Sequence, residues 1–163
     1  MLPLGVITSP NSGKGPYKNT SLTADQQRTQ MTLWAIAKSP LMFGGDATQL
    51  DAFTLGLLTN KELLSLNSAS FNNNQVQAGG STVVWVARSM EGSRTYVALF
   101  NTGTASATVS VTLEALGISG CKKCSVVKDL WSGASGPAVT TGVVQAEVKS
   151  DGVVLLSVSG CMP

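Results

Sequence analysis

The 163-residue sequence predicts α/β plus all-β architecture: the last portion of a (β/α)8 TIM barrel over residues 1–71, then an antiparallel β-sandwich over residues 72–163. Three observations predict it. Apolar residues recur at helical spacing before residue 72 and at a spacing of two after it. The order before the switch is helix, short apolar strand, helix, the repeat of a β/α barrel. The order after it is a series of short β-rich runs parted by Gly, Ser and Thr.

Met1-Leu2-Pro3-Leu4-Gly5 reads as the end of a buried strand running into a surface loop, with loop chemistry from Ile7 through Ser9-Pro10-Asn11-Ser12-Gly13. Pro3 and Gly5 interrupt the apolar run that a secretory signal needs. No window approaches the roughly 18 apolar residues of a membrane span. Thr23-Ala24-Asp25-Gln26 forms a capping box, in which the Thr hydroxyl accepts from the Gln26 amide and the Gln26 side chain reaches back. A helix to Lys38 follows, and Met31, Leu33, Trp34, Ile36 and Ala37 spread over more than one face, which predicts deep burial of its second half. Ser39-Pro40 stops it. Leu41-Met42-Phe43 is a buried parallel strand, and Gly44-Gly45 permits a tight exit. Asp46-Ala47-Thr48-Gln49 is a second capping pattern, and helical spacing returns through Leu50, Phe53, Leu57 and Leu58, then Leu63, Leu64 and Leu66.

In the second half, strands are predicted over 83–88 and 95–101, joined by a hairpin turn at Met90-Glu91-Gly92-Ser93. Further strands are predicted over 107–113, 125–131, 143–148 and 153–158, with Ser150-Asp151-Gly152 as the last hairpin turn. The sandwich is expected to bury its own core and to fold without the first 70 residues, whereas those residues, short of the strands that close a barrel, are not expected to fold alone.

Composition narrows the function. The chain is 43% apolar and 12% charged, which describes a packed globular protein. Its net charge of +2 comes from scattered residues, with Lys122-Lys123 the one basic pair, so no nucleic-acid or membrane partner is expected. The absence of His removes Ser-His-Asp and Cys-His catalysis and the commonest metal ligand, and no cofactor is expected. Cys121-Lys-Lys-Cys124 lacks the βαβ context of a redox motif and the second pair of a zinc site. A disulfide joining Cys161 to Cys121 or to Cys124 is the better reading, leaving one thiol free or paired outside the chain. Asn19-Thr20-Ser21 is an N-glycosylation sequon in a predicted loop, consistent with a secreted protein.

Paired carboxylates run most glycosidases, and the chain has nine carboxylate side chains. Asp25 suits a first helical turn and Asp46 an N-cap; Asp51 and Glu62 fall on helices near solvent. Glu91 and Asp151 are turn residues, Glu114 follows a strand, and Asp129 and Glu147 alternate outward. None pairs with another. Trp85, Tyr96 and Trp131 suit either sugar stacking or a core.

At the level of motifs, Met1-Leu2-Pro3-Leu4-Gly5, Leu22-Thr23-Ala24-Asp25-Gln26-Gln27-Arg28-Thr29-Gln30 and Leu33-Trp34-Ala35-Ile36-Ala37-Lys38-Ser39-Pro40-Leu41 resemble the late barrel of glycoside hydrolase family 27, the α-galactosidase or melibiase family. Residues 58–67 resemble its last barrel helix; 84–88, 96–101 and 129–133 resemble strands of its C-terminal β-domain. The likeness is strongest to the plant α-galactosidase-like branch, in Gly44-Gly45-Asp46 and the Cys-rich tail. The resemblance implies a retaining exo-glycosidase acting on terminal α-galactosyl or related sugars, with carbohydrate as its partner. It implies an Asp nucleophile and an Asp acid/base on earlier barrel strands, neither of them in this chain. In the family a Trp-x-Asp-x-Asp run leads into the Met-Leu seen here, which makes Met1 the one substrate-binding candidate. The chain alone is therefore expected to be inactive. The alternatives are a stand-alone carbohydrate-binding sandwich and a non-functional truncated remnant. Resemblance and cysteines together imply a secreted protein, extracellular, in the cell wall or in the vacuole.

Overall fold

A computed structural model describes residues 1–8, 10, 15–136 and 138–163, with Val126 described in its backbone only. The predicted loop residues Ser9, Asn11, Ser12 and Gly13 lie outside the described residues. Before them, Ile7 and Thr8 are not loop but strand: β1 (Val6–Thr8) pairs antiparallel with β2 (Lys18–Asn19). The Asn19 sequon thus begins on a short exposed strand.

Helix α1 (Ala24–Ile36) starts at the predicted capping box, and both halves are made. The Gln26 amide donates to Thr23 Oγ1 at 3.2 Å, and the Thr23 amide donates to Gln26 Oε1 at 3.0 Å. Met31, Ala35 and Ile36 are buried, but Leu33 is 40% exposed and Trp34 only half-buried. The second half of α1 therefore buries one face, not its whole circumference. The predicted strand at 41–43 is a single parallel bridge: Leu2 pairs with Phe43, the Leu2 amide donates to the Met42 carbonyl at 2.7 Å, and the Gly44 amide donates to the Leu2 carbonyl at 2.9 Å. It is less buried than expected, with Met42 57% exposed.

Gly44 and Gly45 are required by close approach. A Cβ at Gly44 would lie 2.9 Å from Met1 Cβ, and one at Gly45 would lie 2.6 Å from the Leu4 carbonyl oxygen and 2.5 Å from Phe43 Cζ. Asp46 caps only a 3-10 turn, Ala47–Gln49. The helix expected after it waits for Asp51, which caps α2 (Ala52–Leu58) by accepting from the Thr54 amide at 2.6 Å. Asn60 caps α3 (Lys61–Ser68).

The remaining strands are β3 (Ser70–Gly79), β4 (Thr82–Ser89), β5 (Thr95–Asn101), β6 (Ala107–Thr112), β7 (Lys123–Asp129), β8 (Val143–Val148) and β9 (Gly152–Met162). They form an antiparallel five-stranded sheet, β3-β4-β5-β9-β7, and a two-stranded sheet, β6-β8. Two expectations fail here. Strand β3 was not predicted, because Asn72-Asn73-Asn74-Gln75 shows no apolar alternation; it is a mostly exposed edge strand whose register shifts twice. The turn at Ser150-Asp151-Gly152 closes no hairpin: β8 pairs with β6 while β9 pairs with β5 and β7, so the turn carries the chain from one sheet to the other.

Strand alternation sorts the side chains onto two cores. Val84, Val86, Val97, Leu99, Leu156 and Val158 meet Val109, Val111, Val144 and Val148 between the sheets. The alternate residues Ala87, Tyr96, Ala98, Phe100 and Leu155 point to the opposite face, where Leu2, Leu4, Met31, Ile36, Leu63 and Leu66 cover them. Strand β5 is consequently buried at every position. The sandwich has its own core, as expected, but its larger sheet also carries a second apolar face, roofed by Leu2, Leu4 and the three helices.

Candidate functional site

Met1, the substrate-binding candidate, is 74% exposed at the start of the segment that pairs with Met42–Gly44. Its position is fixed from behind. Leu2 is fully buried and tied on both sides of its peptide unit, and the missing side chain at Gly44 leaves the space that Met1 Cβ occupies. A thioether on an ordered, outward-facing backbone can contact the apolar face of a ligand. It has no proton to give or take at ordinary pH.

The described carboxylates serve caps, turns and ion pairs or stand exposed. Asp25 accepts from Arg28 Nη1 at 3.0 Å and lies 3.9 Å from Lys149 Nζ. Asp46 and Asp51 cap their turns, and the bond from the Thr54 amide holds the Asp51 carboxyl below its ordinary value. Asp129 Oδ1 accepts from the amides of Trp131 and Ser132, closing the turn after β7. Asp151 accepts from Gln26 Nε2. Glu91, Glu114 and Glu147 are exposed. A groove of about 300 Å³ gathers Asp25, Arg28, Asp129, Trp131, Glu147 and Lys149, but its Asp residues are already engaged as described. Among the described residues, no three His, Cys, Asp or Glu side chains converge as metal ligands.

Glu62 has a different task. From α3 it accepts from Arg94 Nη1 at 2.7 Å and Lys128 Nζ at 3.2 Å, which belong to the sandwich. Burial raises its pKa, but the two cations outweigh burial and hold the carboxyl below its ordinary value. This clip between the layers could not be read from sequence, since its members lie 32 and 66 residues apart. The three aromatic candidates serve the same junction. Tyr96 is fully buried, Trp85 and Trp131 are half-buried against the second core, and Trp131 Nε1 donates to Thr32 Oγ1 at 3.0 Å.

Of the three cysteines, Cys124 and Cys161 oppose each other across β7 and β9 and are joined in a disulfide, while the Cys121 thiol is free and partly exposed. Asn19 is exposed.

Two family models fit this architecture in the same order: one for α-galactosidase A matches residues 17–69, and one for the α-galactosidase C-terminal β-sandwich domain matches residues 79–158. The chain belongs to the α-galactosidase family, glycoside hydrolase family 27. Within the family it is similar to the α-galactosidase of Coffea arabica, 31% identical over 132 residues, which are 80% of this chain and 34% of that one. It is also similar to α-galactosidase 3 of Arabidopsis thaliana, 30% identical over 135 residues, 80% of this chain and 30% of that one. Among solved structures, a family 27 β-L-arabinopyranosidase from Geobacillus stearothermophilus superposes with a TM-score of 0.86 at 38% identity, over 98% of this chain and 36% of that one. The chain thus spans about a third of the length of these relatives.

Proposed function

We propose that these residues are the C-terminal part of a retaining exo-glycosidase of α-galactosidase type, which removes terminal α-galactosyl or related residues from carbohydrates. Residues 1–71 are the last portion of its (β/α)8 barrel and residues 72–163 its sandwich domain. The observation that carries this reading is the parallel pairing of Leu2 with Phe43, followed by α2 and α3 and seated on a sandwich, in a chain that superposes on a family 27 glycosidase almost throughout. Consecutive parallel strands with helices between and after them are the unit from which a β/α barrel is built.

On this reading Met1 stands at the rim of the sugar pocket and supplies an apolar wall. The nucleophile and the acid/base belong to earlier barrel strands. The chain by itself is inactive. Support for that comes from its carboxylates: Asp25, Asp46, Asp51, Glu62, Asp129 and Asp151 are all engaged in caps, turns and ion pairs. Asp51 and Glu62 are also displaced to lower pKa, the wrong direction for a general acid. The Cys124–Cys161 disulfide and the exposed Asn19 sequon support passage through the secretory route, to the cell exterior, the wall or the vacuole. The test is direct. Pure 163-residue protein incubated with an aryl α-galactoside should release no aryl alcohol above the buffer rate. Turnover removed by a single carboxylate substitution would overturn the proposal.

A further inference from the structure

We propose that Cys121, Cys124 and Cys161 form a thiol–disulfide exchange site at the end of the β7–β9 pair, in which Cys121 displaces Cys161 and unlocks the C-terminal strand end. The geometry comes from three observations. First, Cys124 and Cys161 are directly opposed in register and bonded, with their Cα atoms 3.9 Å apart. Second, the Cys121 thiol is free and partly exposed. Third, all three sulfur-bearing side chains meet the same hydrophobic core: Cys124 is part of it, and Cys121 and Cys161 pack against it.

The third observation is not what sequence spacing alone would give. Residues three apart on a continuous strand face opposite sides of the sheet. Strand β7, however, begins only at Lys123, and Gly120 just before Cys121 sits at a φ of +74°. Cys121 therefore lies in the turn that leads into the strand, where strand alternation does not apply, three residues from Cys124 and beside Lys122. Beyond the disulfide, β9 is held to this segment by the Lys123–Met162 pairing and by the Lys122 amide, which donates to the Met162 carbonyl at 3.0 Å.

The step is an internal exchange. The Cys121 thiol gives its proton to solvent, and the thiolate attacks Cys124 Sγ. The Cys121–Cys124 bond forms as the Cys124–Cys161 bond breaks. The electron pair leaves on the Cys161 sulfur, which takes a proton from water. One disulfide and one thiol enter and leave the step, so no oxidant or reductant is consumed. Solvation sets the direction. Cys161 is partly exposed and its departing thiolate meets water, whereas Cys124 is 1% exposed and would carry the charge into the core. The product is a Cys-x-x-Cys bridge within one segment. The end of β9 is then held by hydrogen bonds alone, and the Cys161 thiol is free to exchange with a disulfide outside the chain.

Trypsin reads the outcome, because Lys122, Lys123, Lys128 and Lys149 put the three cysteines on separate peptides: 95–122, 124–128 and 150–163. Native protein is kept in mildly alkaline buffer without reductant, alkylated with iodoacetamide in that buffer, and only then denatured and digested without reduction. The expected result is label on both Cys121 and Cys161, together with a cross-linked pair of peptides 95–122 and 124–128. Label confined to Cys121 at all times, or appearing on Cys124, would overturn the proposal. In Cys121→Ser the label should be lost from native protein altogether. Label persisting on Cys161 in that variant would show that the bond opens without Cys121, which also refutes the exchange.

Discussion

Excision of residues 1–69 should cost the sandwich most of its stability, although its inter-sheet core would be left intact. Tyr96, Phe100 and Leu155 on the outer face of the five-stranded sheet, and Leu130 just after β7, are buried in one cluster with Leu2, Leu4 and residues of α1, α2 and α3. Burying a large apolar side chain contributes about 1.5–3 kcal/mol, so the four together contribute about 6–12 kcal/mol, an upper figure if the unfolded chain is itself compact. Residues 70–163 keep their full entropy of ordering when the cover is removed and lose only this favourable part. A domain's whole stability is about 5–15 kcal/mol. The assay is thermal unfolding by circular dichroism, run beside size-exclusion chromatography, on residues 70–163 and on the full chain. The shortened protein should melt more than about 20 °C lower, or hide the face by self-association. A monodisperse monomer that melts cooperatively within a few degrees of the full chain would refute the reasoning. A single-site version is Leu155→Ala in the full chain, expected to cost about 2–5 kcal/mol.

Three further outcomes follow from particular contacts. The folded pKa of Glu62 lies below its ordinary 4.5. The stability it contributes is therefore complete above that pH and is lost as pH falls through the folded value; Glu62→Gln should lower the melting temperature at neutral pH and flatten its acid-side decline, and matching acid slopes would count against the clip. Asp51→Ala removes the acceptor of the Thr54 amide and should cost about 1 kcal/mol, read as a shift in the denaturant midpoint at unchanged slope. Gly45→Ala drives a methyl group against the Leu4 carbonyl and the Phe43 ring; a cost of about 1–3 kcal/mol is expected, and a melting temperature within a degree of wild type would show that the Met1–Leu4 segment is not held there.

Where local chemistry decides structure, the sequence was legible. The capping box at Thr23 and Gln26 lies inside four residues, and its two hydrogen bonds form as the residue types require. Strands β4 to β9 announce themselves by alternation, and five of the six predicted spans end within two residues of those found. What could not be read depends on partners distant in sequence. β3 is polar because it is an edge strand, and only its pairing with β4 makes it a strand at all. The Ser150–Gly152 turn has hairpin residues, but which sheet each flanking strand joins is fixed by register with β5, β6 and β7. The sequence left Cys161 two partners, and the register of β7 against β9 chooses Cys124. The double burial of β5 is visible in Tyr96-Val97-Ala98-Leu99-Phe100 as a run without polar interruption, a signal that reads equally as a strand in a simple core. The candidate site was legible only as a resemblance: Met1 carries no chemistry that spacing or charge could reveal.

Sequencing the transcript upstream of the Met1 codon tests the central claim most directly, that these residues complete a family 27 glycosidase. The account predicts a reading frame that continues into a Trp-x-Asp-x-Asp run and earlier barrel strands bearing two catalytic Asp residues. An in-frame stop codon immediately upstream would contradict it.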